Sequence, residues 1–428
     1  MLAYRLSDMT DAQLGGVLSR GDFDLSGPMR QARRIIEEVR REGDRAIRKY
    51  ARRFDGFEGG PLTLPEEDVR SSSGTVSKDV LDALRLSKKR IEEFHKRQVP
   101  EPFEYADSAG RLGQKMVPLD RVGVYVPGGT AAYMSSVLMG CIPARVAGVK
   151  DVVICTPGKS GRVPSEILAA ADLCEVREVH PIGGAHSIAA MAYGTPSIGR
   201  VQKIIGPGGA FVTAAKLLVR NDCEIDFLAG PSEVLIIADD KADPESLALD
   251  MLAQLEHDPL ARALLVTTSE GTLDNVMCAL ERKLLSAERR DIVSASSGKG
   301  AIFILADDLD DAVEFSNRYA PEHLLIDVQK PRDLLERVKS AGSVFLGKYS
   351  SVAFGDYCTG TNHILPTKGV AAVKSSLTVL DFLKIIPFQE LNSSGARKLS
   401  KTVETLARSE GLPAHAEAAL ARARKVKR

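Results

Sequence analysis

Arg121 to Val126 reads RVGVYV, and Pro127-Gly128-Gly129-Thr130 then turns the chain. The run is too short for a helix, and its Val content suits a strand buried on both faces. DVVICTP (151–157), EVREVHPIG (175–183) and KIIGPGG (203–209) repeat the texture. Between them lie helical patterns: YMSSVLMGCIPARVAGV (133–149), SEILAAADL (165–173) and HSIAAMAYG (186–194). Strand alternating with helix predicts a parallel, doubly wound α/β sheet. The alternation resumes with EVLIIADD (233–240), ALLVTTSE (263–270), AIFILADD (301–308), HLLIDVQ (323–329) and GSVFLG (342–347). The fold class expected is therefore α/β, with two doubly wound Rossmann-like units in succession. Before them, PMRQARRIIEEVRREGDRAIRKYARRF and KDVLDALRLSKKRIEEFHKRQ show helical spacing with a charged face. After about Leu377 the chain is expected to be a helical tail. Its break at Gly411-Leu412-Pro413 sets His415 near the start of a last helix, whose basic end suits the negative C-terminal dipole.

At 428 residues the chain exceeds one compact core, and ~150 residues per domain suggests about three domains. Lys plus Arg and Asp plus Glu balance at 57 each, which gives no reason to expect a nucleic-acid or membrane-surface partner. The six cysteines stand far apart without a CxxC pair, as reduced, mostly buried thiols would. The opening MLAYRLSDMTDAQ has no signal-peptide pattern, and no apolar stretch approaches a membrane span. A soluble, cytoplasmic protein is expected.

The first unit carries three glycine-rich turns, each after a strand and before a helix: YVPGGT (Tyr125–Thr130), IGGAHS (Ile182–Ser187) and IGPGGA (Ile205–Ala210). Turns at the carboxyl ends of parallel strands border the ligand crevice, and glycines there let backbone N–H groups approach a phosphate. None matches GxGxxG, yet three in one unit favour a nucleotide or other anionic ligand.

AQLEHDP (Ala253–Pro259) closes a helix that starts well at Asp243-Pro244. Gln254 and His257, three apart, can share a helical face. Alone, the segment reads more readily as a polar helix end than as a ligand pair. In RYAPEHLLIDV, Glu322 and His323 are neighbours where helix gives way to strand. Adjacent strand residues face opposite ways, so both serve one pocket only if the turn after Pro321 breaks the alternation. His95 lies in a charged helix and is expected at the solvated surface; His180 is expected to be structural. SSVAFGDYCTGTNHILPT (Ser350–Thr367) is a polar loop in which Asp356 or His363 could be ligands. Gln254, His257, Asp356 and His415 would together form a thiolate-free nitrogen and oxygen set suited to Zn²⁺ or Mn²⁺.

Taken together, RVGVYVPGG, IPARVAGVK, GPGGAFVTAAK, AGPSEVLIIAD, AQLEHDP, YAPEHL, GDYCTGTNHILPT and SEGLPAH make the chain resemble the histidinol dehydrogenase family over nearly its whole length. The resemblance implies an NAD-dependent oxidation of L-histidinol to L-histidine through the aldehyde, the last step of histidine biosynthesis, with two NAD⁺ and one zinc per subunit. It implies Gln254, His257, Asp356 and His415 as zinc ligands, His415 reaching the partner's site in a homodimer with exchanged tails. Glu322 and His323 match the catalytic pair. Ser232 and Glu410 match substrate-contacting positions, as do Gln254, His257, His323, Asp356 and His415; Tyr125 matches an NAD contact. Two positions depart from the family's pattern. The second glycine loop commonly reads GGAQ and here carries His186, and the third commonly reads GPGN and here carries Gly209. Both are expected among the cofactor contacts.

The expected domains are an arm (1–22), a large α/β domain (23–120 plus 235–375) bearing metal and catalytic residues, an inserted NAD-binding α/β domain (121–234) and a helical tail (376–428). Three rival readings remain, one of them a non-catalytic ligand-binding α/β protein, which the concentration of matched acid–base residues disfavours. A sister enzyme acting on another small polyol, such as a sulfopropanediol, is disfavoured by Glu410 and His415, which suit a cationic imidazole-bearing substrate. A zinc hydrolase without nucleotide is disfavoured by the glycine loops.

Overall fold

The computed structural model describes residues 1–20, 24–128, 132–158, 161–227 and 230–424. Gly129 and Thr130 of the first glycine loop, Ala229 of AGPSE, the arm boundary at residue 22 and the last four residues of the basic end lie outside them.

The RVGVYV run forms the strand Arg121–Tyr125, the centre of a five-stranded parallel sheet. In space the order is Glu178–His180, Asp151–Cys155, Arg121–Tyr125, Lys203–Ile205, Glu224–Ile225, so that in chain order the strands run 3-2-1-4-5. A second parallel sheet repeats this course with Ala301–Leu305, Arg262–Thr267, Glu233–Ala238, His323–Asp327 and Ser343–Leu346, and Leu2–Arg5 adds an outer strand beside Ala301–Leu305. These are the two doubly wound units expected, although the strand at the very start of the chain was not.

The strands are apolar because both faces are covered. Val234, Ile236 and Ala238 point to one side, against Met251, Leu255, Val276 and Leu280. Leu235 and Ile237 point to the other, against Val313, Phe315 and Tyr319. This period of two, with neither face left polar, is the mark of a sheet between two helical layers. Each such Leu or Ile contributes about 1.5–3 kcal/mol on burial. Among the described residues no helix is long and apolar enough to cross a membrane.

The chain divides into two compact units, the first being Met1–Gln98 with Asp120–Asp381 and the second Val99–Leu119 with Phe382–Arg428. The second unit corrects the expectation of an all-helical end. Leu383–Leu391 is a strand, paired antiparallel with Gly110–Pro118 in register from Leu383↔Pro118 to Leu391↔Gly110; Phe103–Ala106 completes the sheet. Pro387 is tolerated because its strand lies at the sheet's edge. Two helices follow, Ser393–Ser409, capped by Asn392, and Pro413–Ala423.

His95 is a further correction. It is fully buried, its Nδ1 donating to the Ile91 carbonyl at 2.8 Å. His180 is buried as expected, between the Leu62 carbonyl and Glu178.

Candidate active site

Strand order reverses in the first sheet between Arg121–Tyr125 and Lys203–Ile205, and their carboxyl ends form the crevice where α/β sheets take ligands. Gly206 makes the second of these turns possible. Its φ is +114°, and a Cβ there would stand 2.0 Å from the Tyr125 carbonyl oxygen. Pro127, Pro207, Gly208 and Gly209 of these turns line a cavity of about 470 Å³. The opposite wall comes from the second sheet, but from the amino ends of its strands: Ser232, Glu322 and His323. His257, Asp356, Tyr357 and His363 complete it.

Glu322 and His323 reach the same cavity because the chain is bent just before them. The helix Leu309–Tyr319 ends at Ala320, whose φ of 48° is left-handed, and the strand begins only at His323. Glu322 is thus a turn residue, freed from strand alternation. Its Oε2 accepts the Glu233 backbone N–H at 2.8 Å. The Glu233 carbonyl lies 3.0 Å from His323 Nδ1. A carbonyl can only accept, so Nδ1 carries a proton in either charge state, and in the neutral ring Nε2 holds the lone pair. That Nε2 is buried without a hydrogen-bond partner, 3.7 Å from Asp356 Oδ1.

Burial pushes Glu322 up to about 8, with the neighbouring His323 pulling the other way. For His323 burial works downward, but the carboxylates of Glu322 and Asp356 outweigh it and raise the imidazole to about 9. With 3.6 Å between Glu322 Oε2 and His323 Nδ1, the two titrate as one coupled pair. Asp356 is held below the usual carboxylate range: burial would raise it, and His323 and the other imidazoles prevail.

The helix carrying Gln254 runs Pro244–Leu255, with the cap at Asp243 as expected. It stops before His257, so the two residues do not share a helical face. Gln254 is buried at 4% exposure and its Nε2 has no hydrogen-bond partner, whereas His257 opens onto the cavity. Asp356 sits in a short helix, Val352–Tyr357, within what the sequence suggested was plain loop. His363 was noted there only in passing. Its Nδ1 donates to the Asp356 carbonyl at 2.9 Å, which leaves Nε2 as a further nitrogen donor at the cavity. Tyr133 and Tyr357 also line the cavity, and no sequence signal marked either.

Among the described residues no cluster of three or more His, Cys, Asp or Glu has metal-binding geometry. Within the first unit the expected ligand set has only His257 and Asp356 of those types, with Gln254 as third donor. Glu410 and His415 belong to the second unit. Glu410 ends the helix Ser393–Ser409, His415 lies in the first turn of Pro413–Ala423, and both are exposed.

Of the expected cofactor contacts, Gly209 lines the cavity. Tyr125 is buried, and its hydroxyl accepts the Gly184 N–H at 3.4 Å. His186 turns inward: it is 0% exposed, and its Nε2 lies 2.9 Å from Asp55 Oδ2, which also accepts the Gly183 N–H.

A family model described as histidinol dehydrogenase matches residues 18–423. The chain is 44% identical over 425 residues to the histidinol dehydrogenase of Methanosarcina mazei, covering 99% of this chain and 98% of the relative. It is 47% identical over 397 residues to that of Natronomonas pharaonis, covering 92% and 94%. The crystal structure of histidinol dehydrogenase from Elizabethkingia anophelis superposes with a TM-score of 0.94 at 33% identity, over 99% of this chain and 98% of that one. Fold and relatives together define an α/β oxidoreductase. The chain belongs to the histidinol dehydrogenase family, the oxidoreductases that serve histidine biosynthesis.

Proposed function

We propose that the protein is a cytoplasmic homodimer that carries out a four-electron, NAD-linked and zinc-dependent oxidation of L-histidinol to L-histidine by way of L-histidinaldehyde. The observation that most supports this reading is the backbone-held pair Glu322–His323 facing the glycine turns of the first sheet across one cavity. Gln254, His257 and Asp356 would hold the metal, joined by His415 of the partner subunit. They suit it: an imidazole nitrogen, a carboxylate kept ionised and the oxygen of a buried amide are hard and borderline donors. Gln254 adds no negative charge, so such a site keeps more Lewis acidity than an all-anionic set. When bound, zinc would grip the substrate's nitrogens as a Lewis acid and NAD⁺ would accept hydride.

The chain's own residues do the rest. In its neutral form, with Nδ1–H fixed on a backbone carbonyl, His323 takes the alcohol proton on Nε2 in the first oxidation. Glu322 then takes a proton from water as it adds to the aldehyde, and His323 acts again in the second oxidation. A carboxyl raised toward neutrality is matched to that task. Ser232, His257, Asp356 and Glu410 would orient the substrate, together with His415 of the partner subunit. Gly209 and Pro127, which line the cavity, are the residues that would contact the bound dinucleotide. His186 supports the second glycine turn from within, by way of Asp55.

The dimer reading draws support from the second unit itself. Phe103, Tyr105, Ile385, Ile386, Phe388, Leu391, Leu399 and Leu406 are all exposed, an apolar surface fit for a second copy.

The decisive experiment is an assay of purified protein with L-histidinol and NAD⁺, before and after chelation. Two NADH per L-histidinol, loss of turnover on chelation and recovery with zinc are expected. No NADH from L-histidinol would overturn the proposal, and turnover indifferent to chelation would remove its metal.

A further inference from the structure

One charged side chain far from the reacting groups in sequence ties the strand that holds them to the helix end that leads into them. Arg20 stands just past the helix Asp11–Ser19 in a left-handed conformation, φ 60°. Its guanidinium grips the buried carboxylate of Glu233 as a fork, Nε to Oε2 at 2.6 Å and Nη2 to Oε1 at 3.1 Å. Nη2 also donates to the carbonyls of Tyr319 and Ala320, and Nη1 to that of Leu18 at 3.0 Å. The plane lies 3.8 Å over the Tyr319 ring, and the Tyr319 hydroxyl donates to Glu233 Oε2 at 3.0 Å. Both partners of the ion pair are almost wholly buried.

The position of these contacts matters more than their number. Glu233 is the residue whose N–H holds Glu322 and whose carbonyl holds His323 Nδ1. Tyr319 and Ala320 form the helix end that bends the chain into Pro321 and Glu322. Arg20 therefore clamps the two halves of the catalytic frame, donor strand and incoming turn, against each other. A bidentate fork fixes direction as well as distance, which a lysine ammonium cannot do.

We infer that Arg20 is a positioning residue for the Glu322–His323 pair, acting through Glu233 and the Tyr319–Ala320 helix end. The inference rests on the proposed acid–base role of that pair.

Arg20→Lys keeps the charge and loses the fork. It should lower kcat by about 10–100-fold, the cost of a misplacement near 1 Å, with a much smaller change in KM. The alkaline and acid limits of its pH–rate profile should move, which a loss of folded protein cannot cause. In combination with Glu322→Gln its effect should be much less than multiplicative, since both act on one unit. Arg20→Ala, measured on its folded fraction, should recover part of its turnover with millimolar guanidinium. An Arg20→Lys enzyme with unchanged kcat and pH profile, or losses that multiply with those of Glu322→Gln, would overturn the inference while leaving the pair's role intact. Full activity in Glu322→Gln and His323→Gln would instead overturn the reading beneath it.

Discussion

The two parallel sheets follow one course, 3-2-1-4-5, and serve the cavity from opposite ends. The first presents the carboxyl ends of its strands at the reversal of strand order, where glycine turns leave room for a ligand's backbone contacts. The second presents the amino ends of Glu233–Ala238 and His323–Asp327, where a buried carboxyl and an imidazole are hung on one residue's N–H and C=O. Its own carboxyl ends carry Asp239 and Asp327 instead, tied backbone to backbone. Shared topology thus does not transmit a shared site. The first sheet contributes shape and the second contributes titratable groups, held there by the N–H and C=O of the single residue Glu233.

Breaking either contribution should have unequal effects. His323→Ala, on the second sheet, should lower kcat by ~10²–10⁴, read in a steady-state assay with L-histidinol. Retention of more than a tenth of the rate would move the base elsewhere. On the first sheet, Gly206→Ala should act on the fold before the chemistry. A Cβ 2.0 Å from the Tyr125 oxygen at a left-handed φ should cost about 2–3 kcal/mol or more, visible as a lower denaturation midpoint. An unchanged midpoint would show that the turn can relax. Glu322→Gln sharpens the division of labour: turnover from the aldehyde should fall further than the alcohol step, and equal losses would remove its assignment to water. The smallest effect belongs to the unused end. Asp327 has its pKa raised by burial, then by Asp239 and Asp250. A raised acid stabilises the fold fully below its unfolded value, about 3.9, and loses that contribution as pH climbs through the folded value. Asp327→Asn should therefore raise the melting midpoint at neutral pH, with the gain vanishing toward pH ~4. A lower midpoint at neutral pH would mean that the second sheet needs charge there.

The alternation of short Val- and Ile-rich runs with helices made both sheets legible, because a strand covered on both faces leaves no polar periodicity to confuse it with anything else. The proposed acid–base pair was legible as residues but not as geometry. Whether Glu322 and His323 could share a pocket turned on the left-handed Ala320, and nothing in an alanine announces that conformation. His95 was misplaced because its helix has a charged face and the buried side only emerges from packing on Asn362 and Ile91. His186 occupies a cofactor-loop position, yet its partner Asp55 is 131 residues away, beyond any local signal. LKIIPFQEL passed for part of a helical tail because its pairing partner, Gly110–Pro118, lies on the far side of two complete sheets.

That last pairing bears on how the polypeptide is made. The ribosome delivers Gly110–Pro118 early, and the segment that zips onto it emerges only after the whole of Asp120–Asp381. Until then the early strand has one open edge, the kind of surface that recruits neighbouring nascent chains. The second unit can close only once Leu383–Leu391 has been made, so a polypeptide cut short before Leu383 keeps a permanently bare strand.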